Sequence, residues 1–413
     1  MTKGQIFRSI LFVVICVAIF LVVQFYLTCP EDYRNNEWIG GFFEEEPESL
    51  DAVYLGSSEV YAFFQPPLAW DKYGIAVHNF TSNSQPFEAA KYIIEECRKT
   101  QPDALFIIDT KQLIKNYTQD KYVVNLHYLF DYWPATPTKY KAMTELLFEG
   151  NYSFLNIFQK FELYVPLYRY HDRWQALTQE DLSRSLNGLK GGSIYNRFLY
   201  NVVEVDDVSI VYDRGTRPIE DYREEAIRDL CQYCIDNDVK VMFVSSPVCL
   251  ENVEKRQKYN YIGEVIQEYG LYFRDFNFEY DEIGIVFEED YYDLDHCNIY
   301  GAMKYTDYLC RIILEEHNFE DKRGQAGYES WEQGAADYKA IVAEALATNY
   351  VEDGQMFAPD HFELEDDVQA VFDEWKEAAE LERQNDEIAE EADREKEKKL
   401  EKEAASREKK NKK

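Results

Sequence analysis

The sequence predicts an α/β domain built on a parallel sheet with helices on both faces. Three observations carry that prediction. Runs such as AVYLG at Ala52–Gly56 and DALFIID at Asp103–Asp109 are nearly continuous in apolar residues, as strands buried on both faces are. Stretches with apolar residues at helical spacing, such as PFEAAKYIIEECRKT from Pro86, separate those runs. Strand and helix patterns alternate on either side of a long interruption, which is the signature of βαβ units.

The elements follow in chain order. Ile10 to Leu27, ILFVVICVAIFLVVQFYL, carries no charge and approaches the ~20 residues that cross a bilayer core. It predicts a transmembrane helix over residues 10–28 behind a short N-terminus of residues 1–9. Thr28-Cys29-Pro30 corresponds poorly to a signal-peptidase site, so an uncleaved anchor is the reading. Lys3 and Arg8 precede the run, while Glu31, Asp32, Glu37 and Glu44 to Glu46 follow it. The positive-inside rule therefore puts the N-terminus in the cytosol and the folded region outside, in a single-pass arrangement.

Residues 29–50 read as an acidic spacer. Ala52–Gly56 ends in small residues that suit a tight strand-to-helix loop, and a second strand is expected at Ile75–Phe80. Pro86 occupies the favoured first position of a helix, and Asp103–Asp109 is the third strand. From about 111 to 211 the alternation stops. The segment is rich in Tyr, Phe, Trp and Leu and is expected to be a largely helical insertion. Alternation resumes with a helix over Pro218–Asp236, a strand at Lys240–Ser245, a helix over Asn252–Tyr269, a strand at Leu271–Phe276 and a closing helix over Tyr300–Glu316. The domain so defined covers 51–316. Residues 317–413 are too charged and too poor in apolar positions for a coiled coil, and predict a solvated helix or disordered tail.

Composition excludes some functions. A formal charge of −34 over 413 residues argues against nucleic acid, whose phosphates are held by clustered Lys and Arg. Eight cysteines make no dense disulfide framework, and Cys231-x-x-Cys234 falls in a helical pattern with no second pair, which reads as helix packing. Cys16 and Cys29 belong to the anchor and its edge. With six histidines and no ligand cluster, neither a metal nor a diffusible cofactor is implied.

Two short blocks carry chemistry. Gly56-Ser57-Ser58 stands at the end of the first strand, and Asp293-Leu294-Asp295-His296 precedes the closing helix. A serine attacks an acyl carbon only when a base takes its proton and a carboxylate orients that base. An Asp three residues before a His can fold back onto Nδ1 and leave Nε2 for the serine. Ser58, Ser84, Asp109, Ser246 and His296 all fall at strand-end loops on the carboxyl edge of the expected sheet, where ligands bind in this fold class.

The blocks LGSSEVY, NFTSNSQPFEA and DLDHCNIYGAMKYTDYL resemble those of the SGNH/GDSL hydrolase-like family. Within it the chain looks like the membrane-anchored branch of wall-polymer acyl-transfer proteins, such as the teichoic acid D-alanyl transfer protein and the alginate acetylation proteins. The resemblance spans roughly Asp51 to Asn116 and Pro218 to Glu316. It implies a flavodoxin-like three-layer sheet in a protein of the bacterial cell envelope. It also implies an esterase or O-acyltransferase acting on acyl esters of a cell-surface polysaccharide or wall polymer, with a multispanning membrane acyltransferase as a possible partner. On that match Ser58 is the nucleophile, His296 the base and Asp293 its orienting carboxylate, with Ser57 and Asp295 as alternatives. The Ser58 N–H and the backbone of Ser84, where the family has glycine, would bind the oxyanion. The family's Gly-x-Asn-Asp block is missing, with Ile108-Asp109-Thr110 in its place. Asn83, Gln85, Arg169 and His171 are the candidates to complete the hole. That departure leaves open a second reading, a catalytically weak surface protein that binds glycan or a partner acyltransferase.

Overall fold

Five short apolar strands pair in parallel in the order β2-β1-β3-β4-β5: β1 (Ala52–Gly56), β2 (Val77–Thr81), β3 (Leu105–Asp109), β4 (Val241–Ser245) and β5 (Tyr272–Asp275). This computed structural model describes residues 2–28, 37–115, 119–178, 181, 188–195, 208–249 and 252–352. The charged segment beyond 352, Cys29 and much of 179–207 lie outside the described residues.

Alternation along the strands divides the core into two. Val53, Leu55, Phe106, Ile108 and Phe243 pack on one face of the sheet. Ala52, Tyr54, Leu105, Ile107, Met242 and Val244 pack on the other. Both sets are buried, and this is why the strands read as unbroken apolar runs.

Among the described residues the α-helices of five residues or more are α1 (Lys3–Leu27), α2 (Ser58–Phe63), α3 (Pro66–Tyr73), α4 (Ala90–Cys97), α5 (Gln119–Phe130), α6 (Pro137–Thr144), α7 (Ile157–Tyr164), α8 (Pro166–Tyr170), α9 (Asp221–Asp236), α10 (Val253–Glu268), α11 (Ile299–Glu316) and α12 (Glu329–Glu352). Residues of α4, α9 and α10 cover the first face, and those of α2 and α11 the second. α1 is long and apolar enough to cross a membrane, with a mean hydropathy of 3.0 over its most apolar window. Thr2 and Gln5 close its N-terminus in a reciprocal capping box. The described part of the insertion is largely helical, in α5 to α8, with residues 188–195 irregular. The helix expected from Pro86 begins as a 3-10 turn, Phe87–Ala89, before α4. Cys231 and Cys234 are free thiols within α9, and burial pushes both up to about 12, as befits packing residues.

The chain divides into two compact units, Met1–Tyr338 and Lys339–Lys413. Of the second, the described residues are the last turns of α12. Residues 317–338, which composition assigns to the tail, fold against the domain instead. Lys322 Nζ lies 2.8 Å from Asp51 Oδ1, the Tyr328 ring stacks 5.3 Å from Trp70, and Trp331 is 1 % exposed beside it. A few large aromatic residues here outweigh the surrounding charges by the apolar area they bury.

The strand order reverses between β1 and β3, and ligands bind at such a switch point, outside the carboxyl ends of the strands. β1 delivers Gly56-Ser57-Ser58 there and β3 delivers Asp109.

Candidate active site

Gly56 closes β1 where only hydrogen fits: a Cβ would stand 2.3 Å from Val60 Cγ2 and 3.1 Å from Asp109 Cβ. The chain then turns straight into α2, with Ser57 as N-cap and Ser58 as first residue. As a helix-start amide, the Ser58 N–H has no carbonyl partner inside α2. Its hydroxyl is half-buried and donates to His296 Nε2 at 2.7 Å.

His296 is held from the opposite side. Asp293 and His296 face each other across a small antiparallel hairpin, β6 (Tyr291–Asp293) and β7 (His296–Cys297), where the sequence reads as a loop. His296 Nδ1 sits 2.7 and 2.8 Å from the two Asp293 carboxylate oxygens. The Asp295 N–H also donates to Asp293 at 2.8 Å, which fixes the carboxylate. Burial pushes the Asp293 carboxyl up, but the hydrogen bond and charge of His296 outweigh that and hold it below its ordinary range. Ser58, His296 and Asp293, singled out from sequence, are thus in mutual hydrogen-bonding contact.

The alternatives are engaged elsewhere. Ser57 donates its hydroxyl to Glu59 Oε2 at 2.6 Å, and accepts from Gln112 Nε2. Asp295 takes Lys115 Nζ at 2.6 Å and Lys111 Nζ at 3.3 Å. Burial works against its ionisation, yet the two lysines hold it well below the usual carboxylate range.

Lys111 joins the two halves of the site. Its ammonium, 3 % exposed, donates to the Asp295 carbonyl at 2.9 Å and lies 3.9 Å from Glu59 Oε2. Glu59 is fully buried and also receives the Ser57 N–H at 2.9 Å. The serine loop and the histidine hairpin therefore share one cation.

The expected oxyanion residues are less uniform. Ser84 has φ 48, a left-handed conformation that costs a serine ~1–3 kcal/mol and that glycine would adopt freely. With Gln85, Gln112, Asn125 and Arg223 it lines a polar slot of about 20 Å3. The Gln85 amide donates to the Phe80 carbonyl at 3.3 Å, and Asn83 Oδ1 accepts from Tyr61 OH at 2.5 Å. Arg169 and His171 are not brought to the triad: they belong to α8 and the turn after it, which pack beside α1. Asp109 faces inward, accepting from Ser246 Oγ at 2.5 Å, Ser246 N at 3.0 Å and Lys111 N at 2.8 Å. It ties β3 to β4 and its carboxyl is pushed up to about 7, by burial first and then by the charge of Glu59. Ser246 is consumed in the same contact.

No family model matches this chain, and no curated protein does. The argument for the site therefore stands on its own geometry. Sequence reasoning missed Glu59, Lys111, Gln112 and Tyr195, whose ring lies 5.8 Å from the His296 imidazole. Only Gln112 and Lys111 carried a signal, as polar residues directly after β3.

Proposed function

We propose that the chain is a membrane-tethered serine esterase or O-acyltransferase, working outside the cytosol on acyl esters of a cell-surface polysaccharide or wall polymer. One observation carries the reading. Ser58 Oγ, His296 Nε2, His296 Nδ1 and the Asp293 carboxylate form one continuous chain of hydrogen bonds of 2.7–2.8 Å.

In that reading His296 Nε2 takes the Ser58 proton as Oγ attacks the acyl carbon, and Asp293 stabilises the imidazolium. The Ser58 N–H and the backbone at Ser84 would meet the oxyanion, each donor contributing about 3 kcal/mol. Collapse breaks the ester bond and His296 returns its proton to the departing alcohol. The acyl group remains on Ser58 until water or an acceptor hydroxyl, deprotonated by His296, attacks and frees the serine. The anchor and the helix-bound site suit a substrate held at the cell surface, with a multispanning acyltransferase as a partner able to supply or receive the acyl group.

The stretch Ile108-Asp109-Thr110, with Asp109 buried, stands in place of the Gly-x-Asn-Asp block of the family that the sequence resembles, and favours the second reading, a binding protein on the same fold. One experiment separates them. Full-length protein in detergent is treated with a fluorophosphonate probe, and wild type is compared with Ser58→Ala and His296→Ala. Labelling lost in both variants supports catalysis, and a folded wild type that takes no label sinks it.

A further inference from the structure

Large apolar side chains are exposed in one place beyond α1. Among the described residues they fall within positions 140–177, apart from Tyr212, Ile235 and Val253. Ile157, Phe158, Phe161, Tyr168 and Trp174 are 64, 67, 47, 51 and 64 % exposed. Four of them line an open apolar cleft of about 460 Å3 with Phe148 and Tyr164. A contiguous patch of this kind marks an interaction surface, and in a chain of net charge −34 it is not explained by solubility.

What covers it follows from where α1 ends. Arg173 Nη1 donates to the Leu27 carbonyl at 2.7 Å, and α8 packs directly on α1. Leu21 and Phe25 of α1 face Tyr140, Leu163 and Tyr164 across a second cleft of about 530 Å3, so Tyr164 belongs to both. From Leu21 to Leu27 a helix rises about 9 Å. Interfacial segments sink ~5–10 Å into the boundary between headgroups and acyl chains. The patch therefore begins at the depth where the span leaves hydrocarbon.

We propose that the exposed face of α7, α8 and Trp174 rests in the bilayer surface, as a second membrane contact beside α1. The proposal rests on the reading that α1 crosses the bilayer. Tyr and Trp suit this boundary, where one edge of the ring is apolar and the other wet. A cation accompanies them: the exposed Arg169 lies 5.6 Å over the Tyr170 ring. It offers positive charge to lipid phosphates from an otherwise acidic protein. A domain held at two points presents Ser58 at one height above the membrane, which selects acyl groups carried near the bilayer.

The test uses the full chain with Cys16 and Cys29 changed to Ser: Cys29 lies outside the described residues, and every described cysteine but Cys16 is buried. A fluorophore is placed on a single new cysteine at Val14→Cys, Phe158→Cys or Gln267→Cys. Gln267 is exposed on α10, against β5, at the other end of the sheet from β2. Each protein is reconstituted in phosphatidylcholine and phosphatidylglycerol vesicles, with and without bromine on the acyl chains. Loss of emission at Val14 and Phe158, with none at Gln267, is the expected result. Quenching at Val14 but not at Phe158 overturns the docking face while the anchor stands, and leaves the patch to a protein partner. No quenching at Val14 overturns the spanning reading and this inference with it. Quenching at Gln267 as well shows nonspecific adsorption and also overturns it.

Discussion

The Tyr195 ring lies 22° from parallel with the His296 imidazole, at 5.8 Å between centroids. Tyr195 also stacks on Tyr61 at 6.4 Å, and Tyr61 stacks on Trp38 at 3.8 Å. Tyr61 belongs to α2, the helix that begins with Ser58. A column of rings thus links the helix of Ser58 to the face of the His296 imidazole.

That column predicts a role for the Tyr195 ring in holding the imidazole in place. Ring-stacking contacts contribute ~0.5–1.5 kcal/mol, which corresponds to a roughly 2- to 13-fold loss in fluorophosphonate labelling rate for Tyr195→Ala. Tyr195→Phe keeps the ring and should label as wild type does. If Ala and Phe slow labelling equally, the hydroxyl and not the ring is what matters.

Asp293 and Asp295 should separate cleanly. Asp293→Ala removes the carboxylate from His296 Nδ1 and is expected to slow labelling by ~10³–10⁴-fold, as loss of the orienting acid does in serine enzymes. Asp295→Asn loses an anchor for Lys115 and leaves the Asp293–His296–Ser58 chain in place, so its labelling should change little. The reverse ranking would reassign the orienting carboxylate.

Which of these features were legible depends on how local the physics is. The strands were, because burial on both faces leaves unbroken apolar runs such as LFIID. So were Ser58, Asp293 and His296, whose residue types carry a definite chemistry at strand-end positions. The β6–β7 hairpin was not, since a ladder of so few residues in YYDLDHC leaves no alternation to detect. Tyr195 is one of 33 tyrosines, and its partner is chosen by tertiary folding alone. Glu59 looks like a surface charge until β1 and β3 are paired, and Trp331 is hidden in a window dominated by acidic residues.

Lys111 should be a point of stability. Its ammonium is the cation nearest the fully buried Glu59, at 3.9 Å, and it also joins Asp295. Lys111→Met leaves a buried carboxylate uncompensated, which costs about 3–5 kcal/mol. Lys111→Met with Glu59→Gln removes both charges and should recover much of the loss. Urea unfolding of the three proteins measures this, and a Lys111→Met variant as stable as wild type would show the cation to be dispensable.

Asp109 makes stability fall as pH rises. Its carboxyl is pushed from an ordinary value of 3.8 up to about 7, by burial first and then by Glu59, against the hydrogen bonds from Ser246 and the Lys111 amide. An acid whose pKa is higher folded than unfolded binds its proton more tightly in the native state. Its contribution is complete below about pH 4, the unfolded value, and is lost as pH climbs through about 7. Asp293 and Asp295 shift the opposite way, and their contribution is lost only below their unfolded values, so the window to examine lies above about pH 4. Asp109→Asn cannot titrate, although it also gives up an acceptor for Ser246. The difference between the wild-type and Asp109→Asn stability curves isolates this group, because every histidine and other carboxylate is common to both. That difference should shift by a few kcal/mol in favour of the variant as pH rises from about 5 to about 8. Parallel curves across this window would show that Asp109 is already ionised in the folded protein, with Lys111 and Ser246 sufficient to hold its charge.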